Sequence, residues 1–314
     1  MKKALIIGSE GQDGKLLTLL LNKKGYKVWG LGRAENSSGF AQLEGYICFD
    51  LSNDNYERLV EFYRLHQPDE TYYIAAYHHS SQEEEREQSL NFVDKSISVN
   101  QAGFIKVLEI INLYSRRTKV FYASSSLIFS GSNNLVQTEE TKREPRCIYS
   151  ISKSAAMDAA VFYRLTYNLF VSIGILYNHE SIFRNRNYLS AKIISETKML
   201  LEQKISSITI GDLSSESDWG YAPDYVEAMW HILQLKDSDS YIISSGNLHS
   251  VQNWFEILFS YLDIDWKRYV KEDKGMIKRK KTVLRGSNEK LRATGWSPKT
   301  SFEEMVVKLY QNTI

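Results

Sequence analysis

Tyr149 and Lys153 stand four residues apart, so on a helix the phenol and the ammonium lie one turn apart on the same face. A cation at that distance stabilises the phenolate and makes the tyrosine a usable proton donor or acceptor near neutral pH. In a chain with 20 tyrosines the spacing alone says little. Its position says more, because a serine-rich run, Ala123, Ser124, Ser125 and Ser126, ends 23 residues before Tyr149, and a hydroxyl from that run could bond a substrate oxygen beside the phenol.

Gly8, Gly11 and Gly14 form GxxGxxG directly after the apolar run Ala4 to Ile7 and at the start of a helical stretch. The first glycine permits a tight turn, the second lets backbone approach a pyrophosphate and the third allows close helix packing. The helix N-terminus adds free N–H groups and a positive dipole end. A structural turn is the competing reading, but a strand before and a helix after are the context of a dinucleotide site. At the end of the second strand an acid would bond the ribose 2′-OH of NAD, and an arginine would suit the 2′-phosphate of NADP. Here the segment is Gly30, Leu31, Gly32, Arg33, with no acid at its tip, so NADP(H) is expected; Glu35 nearby argues the other way. Asp50 and Leu51, after the third strand, are placed to meet the adenine edge, and Ala75, at the end of the fourth, is expected beside the cofactor.

The elements that must position these groups alternate. Strands are predicted at Lys3 to Gly8, Lys27 to Leu31, Tyr46 to Phe49, Glu70 to Ala75, Lys119 to Ser124 and Phe170 to Leu176. Helical periodicity fills the gaps at Gly14 to Lys24, Asn55 to His66, Ser89 to Tyr114 and Tyr149 to Tyr167. This is the pattern of a doubly wound parallel α/β sheet, a Rossmann domain expected over residues 1–177. Beyond it regularity weakens into helices near Leu189 to Gln203, Tyr225 to Leu235 and Val251 to Leu262, a short strand Ser207 to Ile210, and a helix from Phe302. Residues 178–314 are expected to form mainly a smaller α/β substrate lobe, with room for the chain to cross back.

The 314 residues, 43% hydrophobic and 25% charged, have the composition of a globular chain with a real core. The 39 basic and 38 acidic side chains leave a formal charge of +1, so no global field draws the protein to nucleic acid or to an anionic membrane. Cys48 and Cys147 lie far apart, which speaks against a disulfide framework or a zinc site and for a cytoplasmic setting. The first apolar run is too short for a signal peptide, and no run approaches the about 18 residues of a membrane span. Glu83 to Glu85 and Lys278 to Lys281 are the only strong charge runs.

The glycine loop, the ASSS run, the Tyr149/Lys153 pair and two later segments resemble the extended short-chain dehydrogenase/reductases that modify nucleotide sugars, above all their GDP-mannose 4,6-dehydratase branch. GSEGQDG at Gly8 to Gly14 is similar to that branch's GxxGQDG loop, which adds Gln12 and Asp13 to the cofactor residues. Asn178, His179, Glu180 and Ser181 match its NHES segment. Asp218, Trp219, Gly220, Asp224, Tyr225 and Val226 match its DWGxxxDYV segment, and Gly295, Trp296 and Pro298 its GWxP. The resemblance implies a tightly held NADP, a nucleoside-diphosphate sugar in the cleft between lobes, and hydride exchange at a sugar carbon. Ser125 would be the hydroxyl member, Tyr149 the acid/base and Lys153 its support, with Ser126 and Asn178 on the substrate and Lys192 in the nucleotide pocket. His79 aligns with a histidine near the sugar, and a structural histidine is the rival reading. Arg279 falls where the family places an arginine on the diphosphate, and a solvated surface is the rival there. Family members pair through the helices at Ser89 to Tyr114 and Tyr149 to Tyr167, so a homodimer with a four-helix interface is expected. Val107, Leu108, Ile111, Ala155, Ala159 and Phe162 suit that contact or burial against the sheet.

Two departures matter. The branch carries a glutamate two residues after the catalytic hydroxyl, as the base that removes the C5 proton during water elimination; here that position is Leu127. Ser126 is too weakly basic to replace it. Ser217 stands where the branch usually has an arginine. Oxidation or reduction at C4 needs only the hydroxyl, the tyrosine, the lysine and the nicotinamide. The expected activity is therefore an NADPH-dependent reductase of a 4-keto-6-deoxy nucleotide sugar, as in deoxysugar biosynthesis. The alternatives are a 4,6-dehydratase with another base, Glu180 being nearest by family position, an epimerase, and a non-catalytic NADP-binding protein.

Overall fold

A computed structural model of the chain describes residues 1–35, 42–53, 55–78, 89–276 and 282–313. In the first half β1 (Lys3–Ile7), α1 (Gln12–Lys23), β2 (Lys27–Gly32), β3 (Gly45–Cys48), α2 (Glu57–His66), β4 (Glu70–Tyr73), α3 (Leu90–Ile97), α4 (Gly103–Tyr114), β5 (Lys119–Ser125), α5 (Ile148–Tyr167) and β6 (Val171–Leu176) alternate as the periodicity predicts. The second half adds β7 (Asn178–Glu180), α6 (Leu189–Leu201), β8 (Ile208–Ile210), β9 (Glu216–Tyr221), α7 (Ala222–Gln234), β10 (Ser240–Ile243), β11 (Leu248–Ser250), α8 (Val251–Tyr261), β12 (Val270–Glu272), α9 (Glu289–Arg292) and α10 (Phe302–Asn312).

The central sheet has seven strands in the order β10-β6-β5-β4-β1-β2-β3, all parallel. Strands such as β4 and β6 are buried along their whole length, as parallel strands covered on both faces must be. One face packs against α2, α4 and α5 around Leu59, Phe104, Leu108 and Ala156, and the other against α1 and α7 around Leu17, Leu21, Met229 and Ile232. From β1 the chain runs outward to β2 and β3, then returns to β4 on the other side. That reversal opens a crevice at the carboxyl ends of the strands, where open α/β sheets bind ligands.

Residues 222–243 return to this sheet as α7 and β10, whereas α6, β8, α8, β12 and α10 build a separate core around Ile193, Trp254, Phe255 and Met305. The long helix predicted over Ser89 to Tyr114 is interrupted by a π-helical turn, Ser98–Ala102. The fully buried Val107, Leu108 and Ile111 face the sheet, so of the two roles open to them the structure takes burial; Phe162 stays half exposed.

Candidate active site

The carboxyl ends of β1 to β4 enclose a cavity of ≈ 420 Å³ whose wall includes Gly8, Gly11, Gln12, Asp13 and Gly14 together with Arg33, Asp50, Leu51 and Ala75. Backbone shapes it. Gly8 has φ +97°, and a Cβ there would lie 2.7 Å from the Ala75 amide nitrogen. A Cβ on Gly14 would meet Ser9 Cα at 2.6 Å, so the loop folds over the first turn of α1 only because both residues are glycine. Gly11 caps α1 in an extended conformation with no side-chain hydrogen bond, which leaves the first N–H groups to the cavity side. A cradle that any Cβ would fill, next to a helix N-terminus, fits a dinucleotide pyrophosphate.

At the other end of the crevice β5 terminates in Ser125. Its Oγ accepts the Leu127 N–H at 3.3 Å and starts a 3-10 turn over Ser126–Phe129, leaving the hydroxyl proton free to donate. α5 brings Tyr149 against this hydroxyl. Burial pushes the phenol's pKa up, while the Ser125 hydrogen bond and the Arg184 cation draw it back. Lys153, 1% exposed, donates to the Ala123 carbonyl at 2.8 Å, and burial lowers its ammonium to about 7. Its Nζ lies 5.8 Å from the centre of the Tyr149 ring, so the protonated form favours the phenolate. Leu127 packs against the large core cluster. Glu180, the alternative base, is buried, accepts the Ser190 hydroxyl at 2.5 Å and pairs with Arg184 at 3.1 Å, so its carboxylate is already engaged.

The QDG and NHES segments hold each other. Asp13 meets His179 Nε2 with both oxygens at 3.0 Å, and His179 Nδ1 lies 2.7 Å from the Tyr177 carbonyl. Gln12 donates to the His179 carbonyl at 3.1 Å and accepts the Ser181 hydroxyl at 2.9 Å. Burial pushes both ionisable groups toward neutrality, yet their mutual attraction prevails: Asp13 is held below the usual carboxylate range and His179 above the usual imidazole range. The imidazole stacks on Tyr225 of α7, 4.6 Å between ring centres. Asp13 thus lines the cavity while its carboxylate holds the strand that follows β6.

Ser126 is buried in the 3-10 turn, and Asn178 heads β7 beside Trp219. Lys192 lies on α6, its ammonium on the Thr209 carbonyl at 3.1 Å and 3.8 Å from Glu196, within the second core's elements. His79 and Arg279, with both charge runs, lie outside the described residues.

Four residues were missed from sequence. His78 places its ring 4.3 Å from that of Tyr149; the signal was the doublet that draws attention to His79. Asn100, in the π turn, bonds the Tyr77 amide at 2.8 Å, the Tyr77 carbonyl at 3.1 Å and Ser152 at 3.1 Å, and so ties the loop after β4 to α5. A polar residue inside an apolar helical stretch is the sequence signal, and π turns are frequent at functional sites. Arg184 lines the cavity and acts electrostatically on Asp13, His179 and Tyr149, so its cation spans the two ends of the crevice. Glu10, within the glycine loop, faces the tip of β2.

The family model of GDP-mannose 4,6 dehydratase matches residues 5–309. The GDP-mannose 4,6 dehydratase 2 of Arabidopsis thaliana is 36% identical, covering 97% of this chain and 85% of its own length. Among solved structures, a putative epimerase from Burkholderia cenocepacia J2315 superposes with TM-score 0.84 at 22% identity, covering 99% of this chain and 98% of that one. The dTDP-glucose 4,6-dehydratase of Bacillus anthracis in complex with NAD gives 0.80 at 20%, covering 99% and 96%. RMD from Pseudomonas aeruginosa complexed with NADPH gives 0.81 at 17%, covering 99% and 98%. These structures share the doubly wound fold.

Proposed function

The chain belongs to the GDP-mannose 4,6-dehydratase family, and on that premise we propose that it dehydrates a nucleoside-diphosphate hexose, GDP-mannose in the first instance, with a nicotinamide dinucleotide held in the glycine-loop cavity. The observation that supports this reading is the Ser125, Tyr149 and Lys153 set gathered where β5 ends and α5 begins, in a chain that matches the family along its length. When bound, the nicotinamide supplies a hydride acceptor and donor. Tyr149 takes the proton of the sugar C4 hydroxyl as the carbon is oxidised, and returns it in the reverse sense. Ser125 donates to the same oxygen. Lys153, when protonated, lowers the cost of the phenolate. Arg184 and the first turn of α1 hold the diphosphates, with Asn178 and the lobe of residues 178–314 around the nucleotide sugar.

Once C4 is a ketone the C5 proton is acidified, and loss of the C6 hydroxyl as water needs a base at C5. Leu127 cannot serve and Glu180 is engaged. Of the groups around the Tyr149 phenol, the His78 imidazole is the one whose ordinary pKa lies nearest neutrality, and we assign it that proton. The 4-ketoreductase expected from sequence is the second reading, and Leu127 is the observation that favours it. Arg33, exposed beside the cavity, is the residue on which the NADP(H) expected from sequence rests. No helix among the described residues is long and apolar enough to cross a membrane. A homodimer is supported by the exposed apolar side chains Ile151, Phe162 and Leu165 of α5 and Leu113 of α4, a stripe that a second copy would cover. A monomer mass in light scattering at micromolar concentration would remove that part of the reading.

The test is to offer the protein GDP-mannose with either oxidised cofactor, then a panel of 4-keto-6-deoxy nucleotide sugars with either reduced one, and to weigh the products. Loss of one water from GDP-mannose supports the dehydratase. Gain of two hydrogens on a keto sugar, with GDP-mannose untouched, selects the reductase.

A further inference from the structure

Arg33 does not stand alone at the tip of β2. Glu10 reaches across from the glycine loop, and its Oε2 accepts the backbone N–H of Arg33 at 3.2 Å and of Ala34 at 3.3 Å. The fit is close: a Cβ on Gly32 would lie 2.5 Å from this oxygen and 2.6 Å from the Tyr46 hydroxyl, so glycine at 32 makes room for both groups. Burial, followed by the adjoining Glu10 carboxylate, pushes the Tyr46 phenol up. On the far side Asp50 faces the same corner. Burial raises its carboxyl, but hydrogen bonds from Ser52 and the nearby Arg33 cation hold it below the usual range. Glu10, Gly32, Arg33 and Asp50 line the cavity that begins at Gly8. The corner therefore sets two carboxylates against one guanidinium, and the two amides that could cradle a phosphate already bind a carboxylate.

We infer that Glu10, and not the strand tip, selects the cofactor, and that the corner takes NAD(H) in preference to NADP(H). A ribose 2′-OH can donate to the Glu10 carboxylate, which is the service an acid at the end of the second strand gives in NAD sites. A 2′-phosphate seeking the amides of Arg33 and Ala34 would compete with that carboxylate and be repelled by it. Like charges so placed cost enough to decide the choice. The acid is supplied from the loop after β1 instead of the end of β2. The inference rests on reading the cavity as a nicotinamide dinucleotide site.

Protein fluorescence titrated with NADH and with NADPH, on the full chain freed of bound nucleotide, tests it without turnover. The wild type should bind NADH more tightly by about tenfold or more, and Glu10→Gln should shrink that ratio by about tenfold, because it removes the repelling charge and keeps the shape. A wild type that prefers NADPH, or a ratio that Glu10→Gln does not move, overturns the inference. If Glu10→Gln does not fold, the wild-type ratio alone decides its sign. Binding of neither nucleotide would instead overturn the reading of the cavity on which it rests.

Discussion

At the glycine-loop end of the crevice the backbone does the shaping. Gly8, at φ +97°, comes within reach of Ala75, and α1 opens without a side-chain cap. At the Tyr149 end the same sheet offers side chains: a hydroxyl, a phenol, a buried ammonium and an imidazole. A site made of backbone tolerates exchange of the side chains around it and still binds its ligand. A site made of side chains depends on each of them, and Leu127, which can neither take nor give a proton, leaves proton transfer to its neighbours.

The comparison breaks most sharply at Tyr149. Tyr149→Phe should reduce turnover about 10²–10⁴-fold, the range of a lost general acid–base group, while cofactor binding stays within about twofold. A variant that loses binding as well would mean that the two ends are not separable. His78→Gln should reduce dehydration by about 10²-fold and leave exchange of hydride with an already oxidised 4-keto sugar intact. Equal loss of both would return His78 to a positioning role.

Where the ends meet, removing one partner of the largely buried Asp13–His179 pair should cost about 2 kcal/mol in denaturant unfolding, below the range of a fully buried pair. The sign follows from the two shifts. Asp13 is held low, so its contribution is present above its unfolded value near 3.8 and lost as pH falls through the folded one. His179 is held high, so its contribution is full below 6.5 and lost as pH rises through the folded value. Asp13→Asn should therefore lower stability most between about 3.8 and 6.5 and flatten the profile below and above that window, and an unaltered profile would contradict the pairing.

The smallest change in stability is expected at Lys153. Its folded value of about 7 lies below the 10.5 of the free side chain, so the unfolded chain binds more protons between these values and stability from this group rises with pH across that window. Lys153→Met should raise the melting temperature at pH 7 by a few degrees and abolish turnover. A fall in melting temperature would mean that its bond to Ala123 outweighs the cost of burial.

Much of this was legible in sequence because close backbone approach demands glycine and helical spacing is fixed. Gly8, Gly14, Tyr149 and Lys153 could be read directly, and the alternation of strands and helices gave the sheet. Partners that touch only in three dimensions could not be. Asp13 was read as a cofactor residue because GSEGQDG resembles the branch's GxxGQDG loop, and nothing in that segment tells that its carboxylate faces His179, 166 positions on. Glu10 lay in plain view, but an acid for the ribose is sought at the end of β2, and only the fold brings the loop after β1 to that tip. The π turn at Asn100 was hidden because one extra residue in a helix leaves the apolar period almost unchanged. β7, β9 and β11 are too short, at three to six residues, to show a period against the neighbouring helices.

The central claim is that the hydride-transfer set is complete while the C5 proton goes to an imidazole instead of a carboxylate. Its most direct test is conversion of GDP-mannose in D₂O, with the product's C5 position read by NMR for wild type and His78→Gln. The account predicts a dehydrated product carrying one deuterium at C5 from the wild type, and little product from the variant. A wild type that leaves GDP-mannose unchanged, or a variant that forms the C5-deuterated product at the wild-type rate, would contradict it.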